Sequence, residues 1–110
     1  MKYFLTLTSV FFSIPSFALS QTGKVTGYIP YEAAGKEVLI VQMQGNAAGG
    51  CNSTGRFAID SSTMKFKGTS AAAIAAFHAQ SDVTIIYTQT CNAWGNAWDI
   101  QSFCVGAISC

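Results

Sequence analysis

The side chains that could perform chemistry are few, and they favour binding over catalysis. His78 is the only histidine, it lies in an alanine-rich segment, and the chain contains no nucleophile motif such as Gly-x-Ser-x-Gly. The five carboxylates lie in separate segments, so their spacing indicates no general acid–base pair. A single histidine without a Cys-x-x-Cys pair argues against a metal centre. We therefore expect no catalytic residue, no metal site and no cofactor.

The aromatic side chains are a more informative set, because several stand among uncharged polar residues. A sugar presents a flat apolar face fringed by hydroxyls, so it suits ring stacking combined with side-chain hydrogen bonds. The alternative interpretation is that these rings fill the ends of a small barrel. The residues concerned are Tyr28, Tyr31, Tyr87, Trp94 and Trp98.

The N-terminal segment has the pattern of a secretory signal peptide. A short cationic start, Met1 and Lys2, precedes an apolar stretch over residues 3–17. Small residues suitable for cleavage allow a cut after Ala18 or after Ser20. The stretch is too short for a stable membrane span, which needs about 20 apolar residues, although an uncleaved N-terminal anchor remains the alternative. We predict a signal peptide over residues 1–20, a single domain over residues 21–110, and a secreted or periplasmic location.

The charge balance after the predicted cleavage excludes several classes of partner. The chain has six Lys and Arg and five Asp and Glu, and removal of Lys2 leaves five of each sign. Nucleic-acid binding requires a basic face that neutralises phosphates, so we expect no nucleic-acid partner. Attachment to anionic lipid is disfavoured for the same reason.

The four cysteines, an even number behind a signal peptide, predict two disulfides formed in an oxidising compartment. Four cysteines allow three pairings, and the spacing alone does not choose among them. A bond between Cys104 and Cys110 would close a short C-terminal loop and leave Cys51 for Cys91.

Hydrophobic period and turn residues predict the order β-β-β-α-β-β within about 90 residues. The helix is expected to begin after an N-cap at Thr69 or Ser70, with Ile74 and Phe77 on its core face. The predicted strands are residues 24–31, 37–44, 56–60, 83–88 and 99–108, and the predicted helix is residues 71–79. A mainly β, five-stranded Greek-key barrel with one helix between its third and fourth strands is the OB-fold, which uses this order. An open α+β sheet with the helix on one face is the alternative.

Short segments of the chain resemble the B subunits of the subtilase cytotoxin and typhoid (pertussis-like) toxin group. The resemblance covers about half of the mature chain, in order and spacing more than in identity. The matching segments are residues 23–27, the helix leading into residues 83–87, Trp94, and Val105-Gly106 ahead of Cys110. The resemblance implies a secreted OB-fold subunit that forms homopentameric rings, binds host sialylated glycans and has a possible enzymatic A subunit as partner.

Carried over by position, the resemblance also assigns individual residues. Thr26 falls where the family has a serine that binds the sialic-acid carboxylate, and Tyr87 falls where a tyrosine contacts the same sugar. Because the first and fourth strands of an OB barrel pair, we expect Thr26 and Tyr87 side by side on the outer face. Lys24 would add a positive charge there, and Trp94 would complete the glycan site.

The cysteine pattern and the helix complete these expectations. The family bridges its second strand to the following loop, whereas residues 37–44 here contain no cysteine, so Cys51 is expected to pair with Cys91 and Cys104 with Cys110. The helices line the central pore of the rings in that family, so the smooth alanine surface of Ala72, Ala75 and Ala76 is expected to support assembly. The alternative function is a stand-alone secreted OB-fold binding or inhibitor protein with neither a glycan ligand nor an A subunit.

Overall fold

The structure, a computed structural model, describes residues 19–45 and 48–110. The predicted order of elements is confirmed, and the protein is mainly β with five strands and one helix. Its elements are β1 (Leu19–Ala33), β2 (Lys36–Met43), β3 (Phe57–Asp60), α1 (Phe66–Ala79), β4 (Asp82–Thr88) and β5 (Trp98–Val105). The predicted signal peptide lies outside the described residues except for Leu19 and Ser20, which are the first two residues of β1.

Strand β1 is long enough to pair with two different strands along its length. Its first part pairs antiparallel with β4, from Leu19 opposite Tyr87 to Lys24 opposite Asp82. Its second part pairs with β2 from Val25 opposite Met43 onward, with a bulge between Val25 and Gly27. A short parallel pairing between β3 and β5 completes the order β1-β2-β3-β5-β4, so the sheet closes on itself as a barrel. Closure removes much of the exposed sheet edge that would otherwise template aggregation.

The barrel interior follows from the alternation of side chains along each strand. In β4, Val83, Ile85 and Tyr87 are buried while the residues between them are half-buried. Successive side chains of a strand point to opposite faces, so one face of each strand supplies the core. The buried core residues are Val25, Leu39, Val41, Met43, Phe57, Ile59, Ala73, Ala76, Val83, Ile85, Tyr87, Trp98 and Ile100.

The helix begins earlier than predicted, and of its two predicted core residues Phe77 packs against the core whereas Ile74 is exposed. It starts at Phe66 with Lys65 at the N-cap position and without a side-chain cap, so the predicted N-cap at Thr69 or Ser70 is wrong. Phe66 packs against the core, which extends the helix by a turn despite Gly68. The buried helical residues are Thr69, Ala73 and Ala76. Ile74, expected in the core, is 36% exposed.

The orientation of the helix shows that one residue of the expected assembly surface, Ala76, was assigned wrongly. Ala76 is 1% exposed and belongs to the barrel core, because the helix packs close to the sheet through its smallest side chains. Ala75 is exposed and Ala72 is half-buried, so these two remain accessible from outside.

Both predicted disulfides are present. Cys51 is bonded to Cys91 and Cys104 to Cys110, with Cα–Cα distances of 6.2 and 6.0 Å. Both separations fall within the usual range for a disulfide. Two disulfides are consistent with a secreted or periplasmic protein. Among the residues that the structure describes, no helix has the length and apolar character needed to cross a membrane.

Candidate functional site

The predicted pairing of Thr26 with Tyr87 is not formed. Tyr87 lies opposite Leu19, seven residues before Thr26, which corresponds to about 23 Å along an extended strand. Its side chain is 8% exposed and points into the barrel, where it stacks on Trp98 with ring centroids 5.0 Å apart and nearly parallel planes. Tyr87 and Trp98 are therefore core residues, which was the alternative interpretation of these rings.

Lys24 also takes a different role from the one expected. Its ammonium Nζ lies 2.8 Å from the Asp82 carboxylate and donates a second hydrogen bond to the Gln80 carbonyl at 3.0 Å. These contacts tie β1 to the start of β4 beside the end of the helix. The positive charge of Lys24 is thus already engaged, and it does not stand beside Tyr87.

Thr26 occupies the bulge of β1 and is exposed. Its hydroxyl donates to the Gln42 carbonyl at 3.3 Å, so it lies at the β1–β2 ladder and away from β4. A bulge re-aims the strand and is a common device near binding sites. Beyond it, the outward positions of β1 are Gly27, Ile29 and Tyr31.

Trp94 is the predicted glycan residue with the most suitable surroundings. It lies in the loop between β4 and β5, which crosses the outside of the barrel and covers β2 and β3. The buried residues beneath this loop form a second cluster outside the barrel, namely Val38, Ile40, Ala58 and Ala97. Tyr31 faces Trp94 edge-on with ring centroids 6.3 Å apart, and Tyr31 is 50% exposed.

Next to this aromatic pair lies a pocket with a charged side chain at its edge. Ile29 pairs with Ile40 across the β1–β2 ladder, just as Tyr31 pairs with Val38, so the two outward pairs are neighbours. The pocket has a volume of about 160 Å³ and is lined by Gly27, Tyr28, Ile29, Ile40, Gln42 and Arg56. Within residues 19–45 and 48–110, no group forms an ion pair or side-chain hydrogen bond with the Arg56 guanidinium. Ile29, Tyr31, Gln42, Arg56 and Trp94 form the candidate site, which we call the binding face.

The loop that carries Trp94 is held by Asp99. The Asp99 carboxylate accepts hydrogen bonds from the Asn92 and Ala93 amides at 2.9 Å and from the Thr90 hydroxyl at 2.5 Å. Asp99 itself is fixed at the start of β5, and the Cys51–Cys91 disulfide anchors the same loop to the β2–β3 connection. Trp94 is thus carried by a loop that hydrogen bonds and a disulfide hold against the barrel.

Sequence reasoning identified Tyr31 and Trp94 as informative aromatics but missed Arg56, Gln42 and Ile29. The alternation along β1 carried the signal for Ile29, because it shares the outward side with Tyr31. No sequence pattern indicated Arg56, because its position beside Gln42 depends on the register in which β3 pairs with β2.

Asp60 and His78 are titratable residues outside the binding face, and both contact neighbouring side chains. Asp60 is 5% exposed, accepts hydrogen bonds from the Ser62 amide and hydroxyl, and lies 3.6 Å from the Lys36 ammonium. Burial raises the pKa of Asp60, but the hydrogen bonds from Ser62 and the charge of Lys36 outweigh it, so its pKa is lowered from 3.8. His78 is exposed at the end of the helix, and its Nε2 lies 3.4 Å from the Tyr28 hydroxyl. Over the described part of the chain, no cluster of three or more His, Cys, Asp or Glu could hold a metal ion.

We compared the chain with protein-family models, curated proteins and solved structures, and none of them matches it.

Proposed function

We propose that this protein is a secreted or periplasmic, non-enzymatic carbohydrate-binding protein with an OB-fold. The support for the fold is the strand order β1-β2-β3-β5-β4 with the helix between β3 and β4. The two disulfides support the location, and the N-terminal sequence pattern favours export.

One observation carries the proposed activity: Tyr31 and Trp94 form an accessible edge-to-face pair on the same outward side of the sheet as the pocket lined by Ile29, Gln42 and Arg56. OB-folds bind oligosaccharides and oligonucleotides on the face of strands 2 and 3 and through the β1–β2 and β4–β5 loops. Here the β4–β5 loop lies over β2 and β3, and Tyr31 belongs to the β1–β2 hairpin. The aromatic rings suit the apolar face of a sugar, and Gln42 and Arg56 can donate hydrogen bonds to its oxygens.

The distribution of charge favours a sugar over a nucleic acid. Single-stranded nucleic acid is bound in a groove with several cations that follow the phosphates. Lys24 and Lys36 are in ion pairs with Asp82 and Asp60, and Arg56 is the one cation of the binding face. A neutral glycan, or one with a single acidic group, fits this arrangement better than a polyanion.

The resemblance to toxin B subunits adds an assembly to this proposal, namely a homopentamer that binds host glycans and accompanies an enzymatic A subunit. Several weak sites on one ring would raise the overall affinity without new contacts. The accessible alanines Ala72 and Ala75 are the residues of the helix that remain suited to contacts between subunits. If the mature protein is a monomer that binds no glycan, the alternative of a stand-alone OB-fold binding or inhibitor protein replaces this proposal.

A glycan-array screen of the mature protein, followed by titration of the best ligand against variants, tests the proposal. Tyr31→Ala should weaken binding at least tenfold while the melting temperature changes little, because half of the Tyr31 surface is exposed. Arg56→Gln should weaken binding of acidic glycans selectively. Lys24→Gln is the matched control, since it removes one cation outside the binding face and should leave affinity unchanged. Unaltered glycan affinity in folded Tyr31→Ala and Arg56→Gln proteins would exclude this face.

A further inference from the structure

A second concave surface lies at the tip of the β1–β2 hairpin and shares Tyr31 with the binding face. It is a groove of about 850 Å³ between the hairpin and helix α1. The helix contributes Phe66, Ser70 and Ile74, which are spaced four residues apart and therefore form one stripe. The hairpin contributes three cross-strand pairs: Pro30 with Leu39, Tyr31 with Val38, and Glu32 with Glu37.

The pair Glu32–Glu37 is the unusual feature of this groove. Residues directly opposite each other on antiparallel strands have Cβ atoms about 4.5–5.5 Å apart, and like charges at such positions are destabilising. Both glutamates are exposed, and neither carboxylate forms an ion pair or hydrogen bond within the described chain. Lys36, the one cation that lines the groove, has its ammonium 3.6 Å from Asp60 on the other side of the hairpin.

The apolar side chains that line the groove are only partly covered. Ile74 is 36% exposed although it lies in the middle of the helix, and Phe66 and Pro30 lie in the same groove. Beside the groove, β1 has one free edge, because its pairing with β4 ends at Lys24 whereas its pairing with β2 runs on to Ala33. Pro30 lacks an N–H and interrupts this edge, which disfavours uncontrolled strand pairing.

We propose that this groove binds a basic and apolar segment of a partner protein. A lysine or arginine of the segment lies between Glu32 and Glu37, where its charge relieves the repulsion between the two carboxylates. An apolar neighbour in the segment packs against Ile74 and Phe66, and the arginine or lysine stem lies along Pro30. Charge complementarity selects this occupant, since a neutral or acidic segment would leave the two carboxylates unpaired.

A fluorescein-labelled peptide with alternating valine and basic residues, Val-Arg-Val-Lys-Val, is a suitable probe, with Val-Gln-Val-Gln-Val as its neutral analogue. Fluorescence polarisation with the mature, disulfide-bonded protein should show saturable binding of the basic peptide and at least fivefold weaker binding of the analogue. Glu32→Gln and Glu37→Gln should each lower the affinity for the basic peptide at least fivefold, and Ile74→Ser should lower it at least threefold. Equal affinity for the two peptides, or no saturable binding of the basic one, would overturn the proposal.

Two controls separate this site from general electrostatics and from the carbohydrate site. Asp82→Asn removes one negative charge outside the groove and should change peptide affinity less than twofold; a loss equal to that of Glu37→Gln would mean that net charge alone attracts the peptide. Arg56→Gln should leave peptide binding unchanged, so either proposal can fail without the other. Without any ligand, Glu37→Gln should raise the melting temperature, and an unchanged or lower value would contradict the repulsion on which the proposal rests.

Discussion

Tyr87 shows how far the role of a residue depends on the strand face that carries it. The alternation of β4 places Tyr87 on the same face as Val83 and Ile85, so its ring enters the barrel and stacks on Trp98. We expect Tyr87→Ala to lower the free energy of unfolding by about 3–5 kcal/mol, the usual cost of removing a buried ring. Tyr87→Phe, which keeps the ring, should cost much less. Urea denaturation of both variants measures this, and a loss of glycan affinity at unchanged stability would return Tyr87 to the binding site.

Asp60 is the residue from which we expect a pH effect. Its pKa in the folded protein lies below 3.8, so the folded state binds this proton less readily than the unfolded state. The ionised carboxylate therefore contributes stability above about pH 4, and this contribution is lost as the pH falls through the lowered pKa. Asp60→Asn should be less stable than the wild type at pH 7, with a difference that narrows below pH 4. Thermal unfolding between pH 2 and pH 7 measures this, and a difference independent of pH would contradict it.

At the scale of the element, adjacent alanines of the helix should respond in opposite ways to the same substitution. Ala76 is 1% exposed in the core, so Ala76→Glu would bury an unpaired charge and should destabilise the fold by about 3 kcal/mol or more. Ala75 is exposed, so Ala75→Glu should change stability by no more than about 0.5 kcal/mol. If the helix mediates assembly, Ala75→Glu should nevertheless yield folded monomer. Light scattering with parallel melting curves distinguishes these results, and a wild-type protein that is monomeric at tens of micromolar would refute the ring.

At the scale of the whole molecule, the two disulfides should make unequal contributions. Cys51–Cys91 links residues 40 positions apart, and Cys104–Cys110 links residues 6 apart. The loop-entropy model gives about 4 kcal/mol for the first and about 2 kcal/mol for the second. We expect Cys51→Ser with Cys91→Ser to be the more destabilising pair, and also to weaken glycan binding because this bond anchors the Trp94 loop. Denaturation and glycan titration of the two double variants test this, and equal effects on binding would contradict it.

Peptide mapping checks the covalent framework itself. Non-reduced digests of the mature protein should contain the Cys51–Cys91 and Cys104–Cys110 linked peptides and no free thiol. A Cys91–Cys104 peptide would contradict the assignment.

The sequence alone determined the order of the elements and which apolar segments form the strands. These features depend on local information: β-branched and aromatic runs form strands, an alanine run forms a helix, and glycines mark the turns. The spacing of the four cysteines, by contrast, left three pairings open. Val83, Ile85 and Tyr87 could have been assigned to one face by period alone, so the placement of Tyr87 was within reach of the sequence.

Only the tertiary structure decided which residues meet. The register of β1 sends Thr26 toward β2 and Leu19 toward Tyr87, and a shift of register along the strand cannot be read from composition. The start of α1 at Phe66 depends on burial of that ring against the barrel, which outweighs the weak helix propensity of Gly68. Arg56 joins Ile29 and Gln42, and Tyr31 joins Trp94, through contacts between segments far apart in the chain. Local propensity is silent about such contacts, because they arise only when the sheet closes and brings those segments together.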